Sequence, residues 1–376
     1  MTTFGQMGRT NSIGFLRLVA ASLVIVGHSF PYGGFGTDPL IELTDNQIAI
    51  GRFPVDIFFA LSGYLIAMSF GRTPSWVVYA WHRVLRIYPA FLTCILITGL
   101  ILAPLLGDGF GLYYIVRNAS IVLGVIDEIP GMFTDTPGHG SVNSALWTLP
   151  WEVRAYILLG VIGVIGAFRR RWMVGLVFLL CWAGFVVQIF THPGLATSPS
   201  VTSGLRLLTF FFAGTLFFVY RKRIPVRWEL FVGSIVLMVG ATIVGVIAPP
   251  YSAGVFYAFA PIPLTYAVMY LGMRLGVTKI NSENDRSYGI YIYGTLLLNV
   301  LAYFGLDSIF SDDHGFWDWL AYVALAYAAT YAAASLSWFL IEKPALSLKE
   351  RRPWQRRPAA SPDERSIDSE LRVGDR

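Results

Sequence analysis

Ten apolar runs, each about long enough to cross a lipid bilayer, recur near 13–31, 53–70, 88–106, 147–167, 173–191, 204–220, 228–248, 254–274, 287–306 and 317–341. A hydrocarbon core about 30 Å thick is spanned by about 20 mostly apolar helical residues. A helix also satisfies its backbone hydrogen bonds within the segment, as lipid requires. The runs therefore predict an all-α polytopic membrane protein of about ten transmembrane helices. Composition agrees: 55% of the 376 residues are hydrophobic and 14% charged, against roughly 25% charged in a soluble domain.

The basic residues predict an orientation. With the first residues inside, the inside segments are 1–12, 71–87, 168–172, 221–227, 274–286 and 342–376. They hold 23 of the 28 lysines and arginines, and the other five are Arg17, Arg52, Arg117, Arg154 and Arg206. Positive charge stays on the cytoplasmic side, so both termini are expected in the cytoplasm. The net charge of +5 then needs no nucleic acid partner. The first run carries Arg17 and His28 and ends His28-Ser29-Phe30-Pro31, unlike the uninterrupted core of a signal peptide, and reads as a retained helix. Residues 346–376, with few large apolar side chains, read as a disordered cytoplasmic tail.

The longest outside connection, 107–146, contains Leu112-Tyr113-Tyr114-Ile115-Val116, an expected interfacial helix. The loop reads equally as an external binding surface or as a cap on the bundle. Cys94 and Cys181 lie inside apolar runs, and no histidine pair has metal-ligand spacing, so neither a disulfide framework nor a metal is expected. His82, His139, His192 and His314 sit in connections or at helix ends and are weaker candidates.

Ionisable groups inside membrane helices are costly and usually functional. Arg17 and His28 are eleven residues apart on the first run, hence on one face and about 16 Å apart in height. Together they suggest a polar internal path; alternatively Arg17 reaches lipid headgroups and His28 the outer interface. Arg83 and Arg86, at the inner approach to the third run, share a helix face and could hold phosphates, or could simply set topology. Asp56 and Glu152 begin the second and fourth runs at the outer end. Either could orient His28, or pair with Arg52 or Arg154 at the rim.

In order along the chain stand Arg17-x10-His28, Gly51-x3-Val55-Asp56-Ile57-Phe58-Phe59-x-Leu61-Ser62-Gly63-Tyr64 and Arg83-x2-Arg86-Ile87-Tyr88-Pro89. Asn143-Ser144-x-Leu146-Trp147-Thr148-Leu149-x2-Glu152-x3-Tyr156, Ser287-Tyr288-Gly289-Ile290-Tyr291 and Ser337-Trp338-x3-Ile341-Glu342-x-Pro344 come next. This set resembles the acyltransferase-3 family of bacterial membrane proteins, which O-acylate surface polysaccharides and some secondary metabolites. Many members extend the Ser-Tyr-Gly-Ile-Tyr segment with a Trp-His or Tyr-His pair, where this chain has Tyr293-Gly294, so no catalytic role is expected there. Some relatives add an extracytoplasmic hydrolase-like domain that these 376 residues lack, which leaves transfer to the membrane domain or to a separate partner.

The resemblance implies a membrane acyltransferase domain over 1–345 in the bacterial inner membrane. It implies a cytosolic acyl-CoA donor, acetyl-CoA above all, and a saccharide or lipid-linked saccharide acceptor. Arg17, Arg83, Arg86 and Tyr88 would bind the donor. His28 would act as general base with Asp56 and Glu152 beside it, or would form an acyl-histidine intermediate. A macrolide or other secondary metabolite is the alternative acceptor. A transporter or flippase is the alternative of another class, but no pairing of two related halves, common in transporters, is evident.

Overall fold

A computed structural model describes residues 2–8, 10–72, 75–166, 168, 170–191, 201–247, 252–310 and 315–349. The helices are α1 Ile13–Tyr32, α2 Pro39–Leu43, α3 Phe53–Phe70, α4 Trp76–Ile97, α5 Ala103–Leu106, α6 Leu112–Ala119, α7 Leu149–Val164 and α8 Arg171–Thr191. They continue as α9 Val201–Tyr220, α10 Trp228–Ile247, α11 Ser252–Phe259, α12 Pro261–Arg274, α13 Ser287–Tyr303, α14 Phe316–Ser337 and α15 Lys343–Ser347. Among the described residues there are two isolated β-bridges and no strand. His192, His314 and residues 350–376 of the expected tail lie outside the described residues.

Among the described residues, eight helical stretches are long and apolar enough to cross a membrane, so the protein is an all-α polytopic membrane protein. Two of the ten expected spans depart from that form. The 254–274 run is broken between α11 and α12, where Pro261 opens the second piece; proline lacks the N–H a continuous helix would use there. The 287–306 run forms α13, which ends at Tyr303 after 17 residues.

Two other spans are longer than expected. The third run was expected to begin near residue 88, yet α4 starts at Trp76, where the Ser75 hydroxyl accepts from the Val78 N–H at 3.3 Å. It continues through a π turn, Thr98–Leu102, into α5 as one 31-residue stretch. Likewise α14 passes through a π turn, Trp338–Glu342, into α15, making 32 residues. A π turn changes the azimuth of the residues beyond it and is frequent at functional sites; this one turns Glu342 into the interior, 2% exposed.

The segments rich in basic residues meet at one end of the bundle, called the proximal end below. Phe4 N–H donates to Ile224 O at 3.3 Å, Ser12 N–H to Gly272 O at 2.8 Å, and the Trp81 indole to Leu348 O at 3.3 Å. Phe70 packs on Phe168 with ring centroids 5.4 Å apart. At the opposite, distal end the Tyr32 hydroxyl meets Ser141 Oγ at 2.7 Å, Gln47 reaches Thr242 O at 2.8 Å, and Trp319 donates to Ser29 Oγ at 2.9 Å.

Helices α3 and α9 cross nearly backbone to backbone. A Cβ added at Gly63 would stand 1.8 Å from Phe211 O, and one at Gly214 would stand 1.9 Å from Ala60 O. Small residues permit such contact between membrane helices. Gly63→Val should therefore lower stability by about 1–3 kcal/mol, read as a drop in the thermal unfolding midpoint in detergent. An unchanged midpoint would contradict this crossing.

The expected interfacial helix exists as α6, but it folds back along α4 rather than lying at the rim. Gly111 N–H donates to Gly99 O at 2.8 Å, and Tyr88 OH reaches Ala119 O at 3.4 Å. Backbone at membrane depth needs partners. Arg154 supplies two to Val122 O, at 3.1 and 2.9 Å. Asn118 pairs with both the N–H and the C=O of Ile126.

Candidate functional site

Because α1 is one unbroken helix, Arg17 and His28 stand at opposite ends of one face, about 16 Å apart. At the proximal end Asp285, just before α13, pairs with both Arg17 and Arg86, the latter through Nη2 at 2.8 Å. Arg86 Nη1 also faces Glu342 Oε2 at 3.6 Å, and its guanidinium lies over the Tyr288 ring. Asn281 Nδ2 and the Ser287 N–H donate to the other Asp285 oxygen at 3.1 and 3.2 Å. Burial alone would raise the Asp285 carboxyl; Arg17 and Arg86, with Ser287 and Asn281, hold it down to about 2.

Arg83 does not share this arrangement. It lies between the rings of Tyr79 and Tyr156, at 5.8 and 5.9 Å, and donates to Ser69 Oγ at 3.3 Å. Its buried Nε has no partner among the described residues. Arg83 borders an apolar groove of about 590 Å³ between α4 and α7. The two arginines expected to share a helix face and hold phosphates therefore face different neighbours. Residues three apart on a helix differ by about 60° in azimuth, and α13 occupies one side while α7 occupies the other. Tyr88 lines the same groove and holds the α6 segment, so it does not join the proximal ion cluster. Lys349, beyond the last span, is lowered to about 8 by burial and by the charges of Arg83 and Arg86.

Between the two ends lies a small internal cavity of about 40 Å³, lined by residues of four sequence-distant segments. Arg17 is at its edge with Ser62, Thr148, Glu152, Ser287 and Tyr291. The Tyr156 hydroxyl donates to Glu152. Tyr291 OH meets Thr148 Oγ1 at 2.6 Å and donates to Ala145 O at 3.0 Å. A cavity of this size accommodates a water or two, and its polar lining suits them.

At the distal end His28 packs on Gly51, where a Cβ would stand 3.1 Å from Nδ1. Its ring meets Tyr32 edge-on at 5.9 Å. Neither carboxylate expected to orient it does so. Asp56 is wholly buried against Arg206, whose Nε is 3.4 Å from Oδ1 and whose guanidinium lies over Tyr257. Glu152 belongs to the central cavity, and Arg154 holds Val122 rather than either acid. At Gly294, where no catalytic role is expected, a Cβ would stand 2.9 Å from Ile25 Cγ1, so α1 closes on α13 at this point.

Asp285, Arg206 and Lys349 carry no role in the sequence reading. Asp285 is one polar residue among many in Asn281-Ser282-Glu283-Asn284-Asp285-Arg286. Arg206 did leave a signal, a lone arginine in an apolar run at the depth of Asp56.

The sequence model of the acyltransferase-3 family, described as an acyltransferase domain, matches residues 10–339. This chain belongs to the acyltransferase-3 family. It is 28% identical to the O-acetyl transferase of Shigella phage Sf6 over 90% of this chain and 96% of that protein. It is 28% identical to nodulation protein 10 of Rhizobium leguminosarum bv. viciae over 91% and 95%. It is 27% identical to the exopolysaccharide production protein ExoZ of Rhizobium meliloti (strain 1021) over 82% and 92%. No solved structure matches the chain significantly. As an acyltransferase of this family it carries Arg17, Ser62, Glu152, Ser287 and Tyr291, drawn from four of the motif segments, around one cavity between its two charged ends.

Proposed function

We propose that this acyltransferase moves an acetyl group from acetyl-CoA to a hydroxyl of a cell-surface or exopolysaccharide sugar, in the bacterial inner membrane. The proximal end faces the cytoplasm. The observation that carries the reading is the central cavity, with Arg17 at its edge and Glu152 in its wall, on the line from the proximal cations to the level of His28. The relatives named for O-acetyl transfer and exopolysaccharide production favour this acceptor class.

The donor's phosphates fit Arg83, which has an unpartnered Nε, and Lys349, whose proton is held weakly beside Arg83 and Arg86. Arg17 and Arg86 fit less simply, because Asp285 already neutralises them. They hold the mouth's shape and offer a phosphate the charge that remains. At the distal end the acceptor oxygen bonds to the thioester carbonyl carbon while His28 takes the hydroxyl proton. The C–S bond breaks, and the thiolate leaves with the nucleotide. Imidazole suits this step near neutral pH. The cavity admits only water-sized occupants as it stands, so Phe58, Tyr288 and Tyr291, which line it, must give way for a thioester to reach His28.

Purified protein given labelled acetyl-CoA should transfer label to surface saccharides. Transfer to none, with no donor binding, contradicts the proposal. Lys349 adds a pH dependence. Its folded value is depressed to about 8, and a bound polyanion favours its protonated form. Donor affinity should therefore fall as pH rises through about 8, with proton uptake on binding. Calorimetry at pH 8 in buffers of different ionisation enthalpy reads that uptake, and Lys349→Met should remove it.

A further inference from the structure

The distal connection between α6 and α7 forms an open groove of about 760 Å³ that the catalytic reading leaves without an occupant. Its walls mix chemistry of two kinds. Ile126, Ile129, Pro130 and Met132 give an apolar floor, while Asp127, Glu128, Thr134 and His139 give polar edges. Tyr113 stands at the border with 74% of its surface exposed. The volume is within the range of ordinary ligand sites.

The groove wall is built rigidly. Asp127 accepts from the Ser141 hydroxyl and from the Asn143 N–H. Asn299 Nδ2 donates to Ser141 O at 2.8 Å, and Thr295 Oγ1 and Ile292 O hold the Asn143 side chain. His139 and Phe133 adopt φ of +49° and +59°, a conformation uncommon outside glycine and maintained only where surroundings enforce it. Behind this wall, Ser141 Oγ meets Tyr32 OH, and the Tyr32 ring meets His28. Ser141 and Tyr32 thus stand between Asp127 in the groove wall and the imidazole.

We infer that this groove is a subsite for a neutral sugar unit of the acceptor, at least one unit beyond the neighbour of the unit that receives the acyl group. An exposed aromatic ring offers a face to the C–H side of a pyranose. Carboxylates accept from vicinal hydroxyls. The paired acids Asp127 and Glu128 repel a uronate or phosphate, so the subsite selects neutral units. Burial pushes Asp127 up to about 6 against the pull of Ser141 and Asn143, which still leaves it an acceptor at neutral pH.

The inference rests on the proposed sugar acceptor, and two readouts separate the two. The first is equilibrium binding of neutral hexose tetrasaccharides and of uronate-containing counterparts to the purified full-length protein without donor. At least one neutral tetrasaccharide should bind, uronate counterparts should bind more weakly, and Tyr113→Ala should weaken binding about tenfold. Glu128→Gln should narrow the difference between neutral and uronate chains. The second is acyl transfer. Tyr113→Ala should raise KM for the tetrasaccharide about tenfold with kcat within twofold, the sign of lost uniform binding, and leave a monosaccharide acceptor unaffected. Tyr113 is exposed, so the variant folds; an unchanged melting profile verifies this. Tetrasaccharide binding without any acyl transfer would sink the acyl reading and keep the subsite. Transfer unaffected by Tyr113→Ala, or affected equally for mono- and tetrasaccharides, overturns the subsite, as does the absence of any neutral-chain binding.

Discussion

With His28 as the proposed general base, His28→Ala should lower acyl transfer by about two to four orders of magnitude, the usual range for a lost general base, and leave donor affinity within about twofold. The separation comes from the geometry. His28 is at the distal end of α1, packed on Gly51 and beside Tyr32, about 16 Å from the arginine at the other end of its face. His28→Gln keeps much of the volume and a polar head but no basic nitrogen, so it should be equally slow. Recovery of activity in the glutamine variant would show that the ring merely fills space. Labelled-donor transfer rates and calorimetric donor titration read both quantities.

The second large effect concerns Asp285. Removing one member of a buried ion cluster leaves the others uncompensated, at a cost of about 3–5 kcal/mol. Asp285→Asn leaves Arg17 and Arg86, both only partly exposed, facing each other with Glu342 as the remaining counter-charge. Its thermal midpoint in detergent should fall sharply while donor affinity holds or improves, since two cations are freed. Arg86→Ala should lose both stability and donor affinity. A variant pair with the same donor affinity would remove Arg86 from the binding site. The native contribution of Asp285 has a defined pH window. Its folded value, about 2, lies below the ordinary carboxylate value, so the stabilisation is complete above about pH 4 and withdrawn as pH falls through about 2.

How these residues find one another explains what the sequence could and could not reveal. Apolar length and the sorting of basic residues suffice to read the helical class and the gathering of basic segments at one end, because both depend on position along the membrane normal. Arg17 and Glu152 were legible as buried ionisable groups for the same reason, and both line the central cavity. Azimuth is another matter. Asp56 and His28 share a depth, yet Asp56 faces Arg206 on α9, a neighbour that only the packing of α3 on α9 decides. Arg83 and Arg86 made the start of α4 look like a connection, because hydropathy counts a charge as polar. Asp285, 199 residues from Arg86, supplies the partner that keeps Arg86 in a helix. The break at Pro261 escaped for another reason: a proline marks where a helix lacks an N–H, but Pro31 and Pro89 lie inside continuous α1 and α4, so proline alone does not decide a break.

The central claim is that an acyl group enters at the proximal end and reaches its acceptor at the distal end. Proteoliposomes of known orientation, with labelled acetyl-CoA added on one face and the saccharide acceptor confined to the other, test this directly. Label should reach the acceptor only when the donor is on the face bearing Arg83 and Lys349, and His28→Ala should abolish it. Transfer that occurs only when donor and acceptor share one face would contradict the claim.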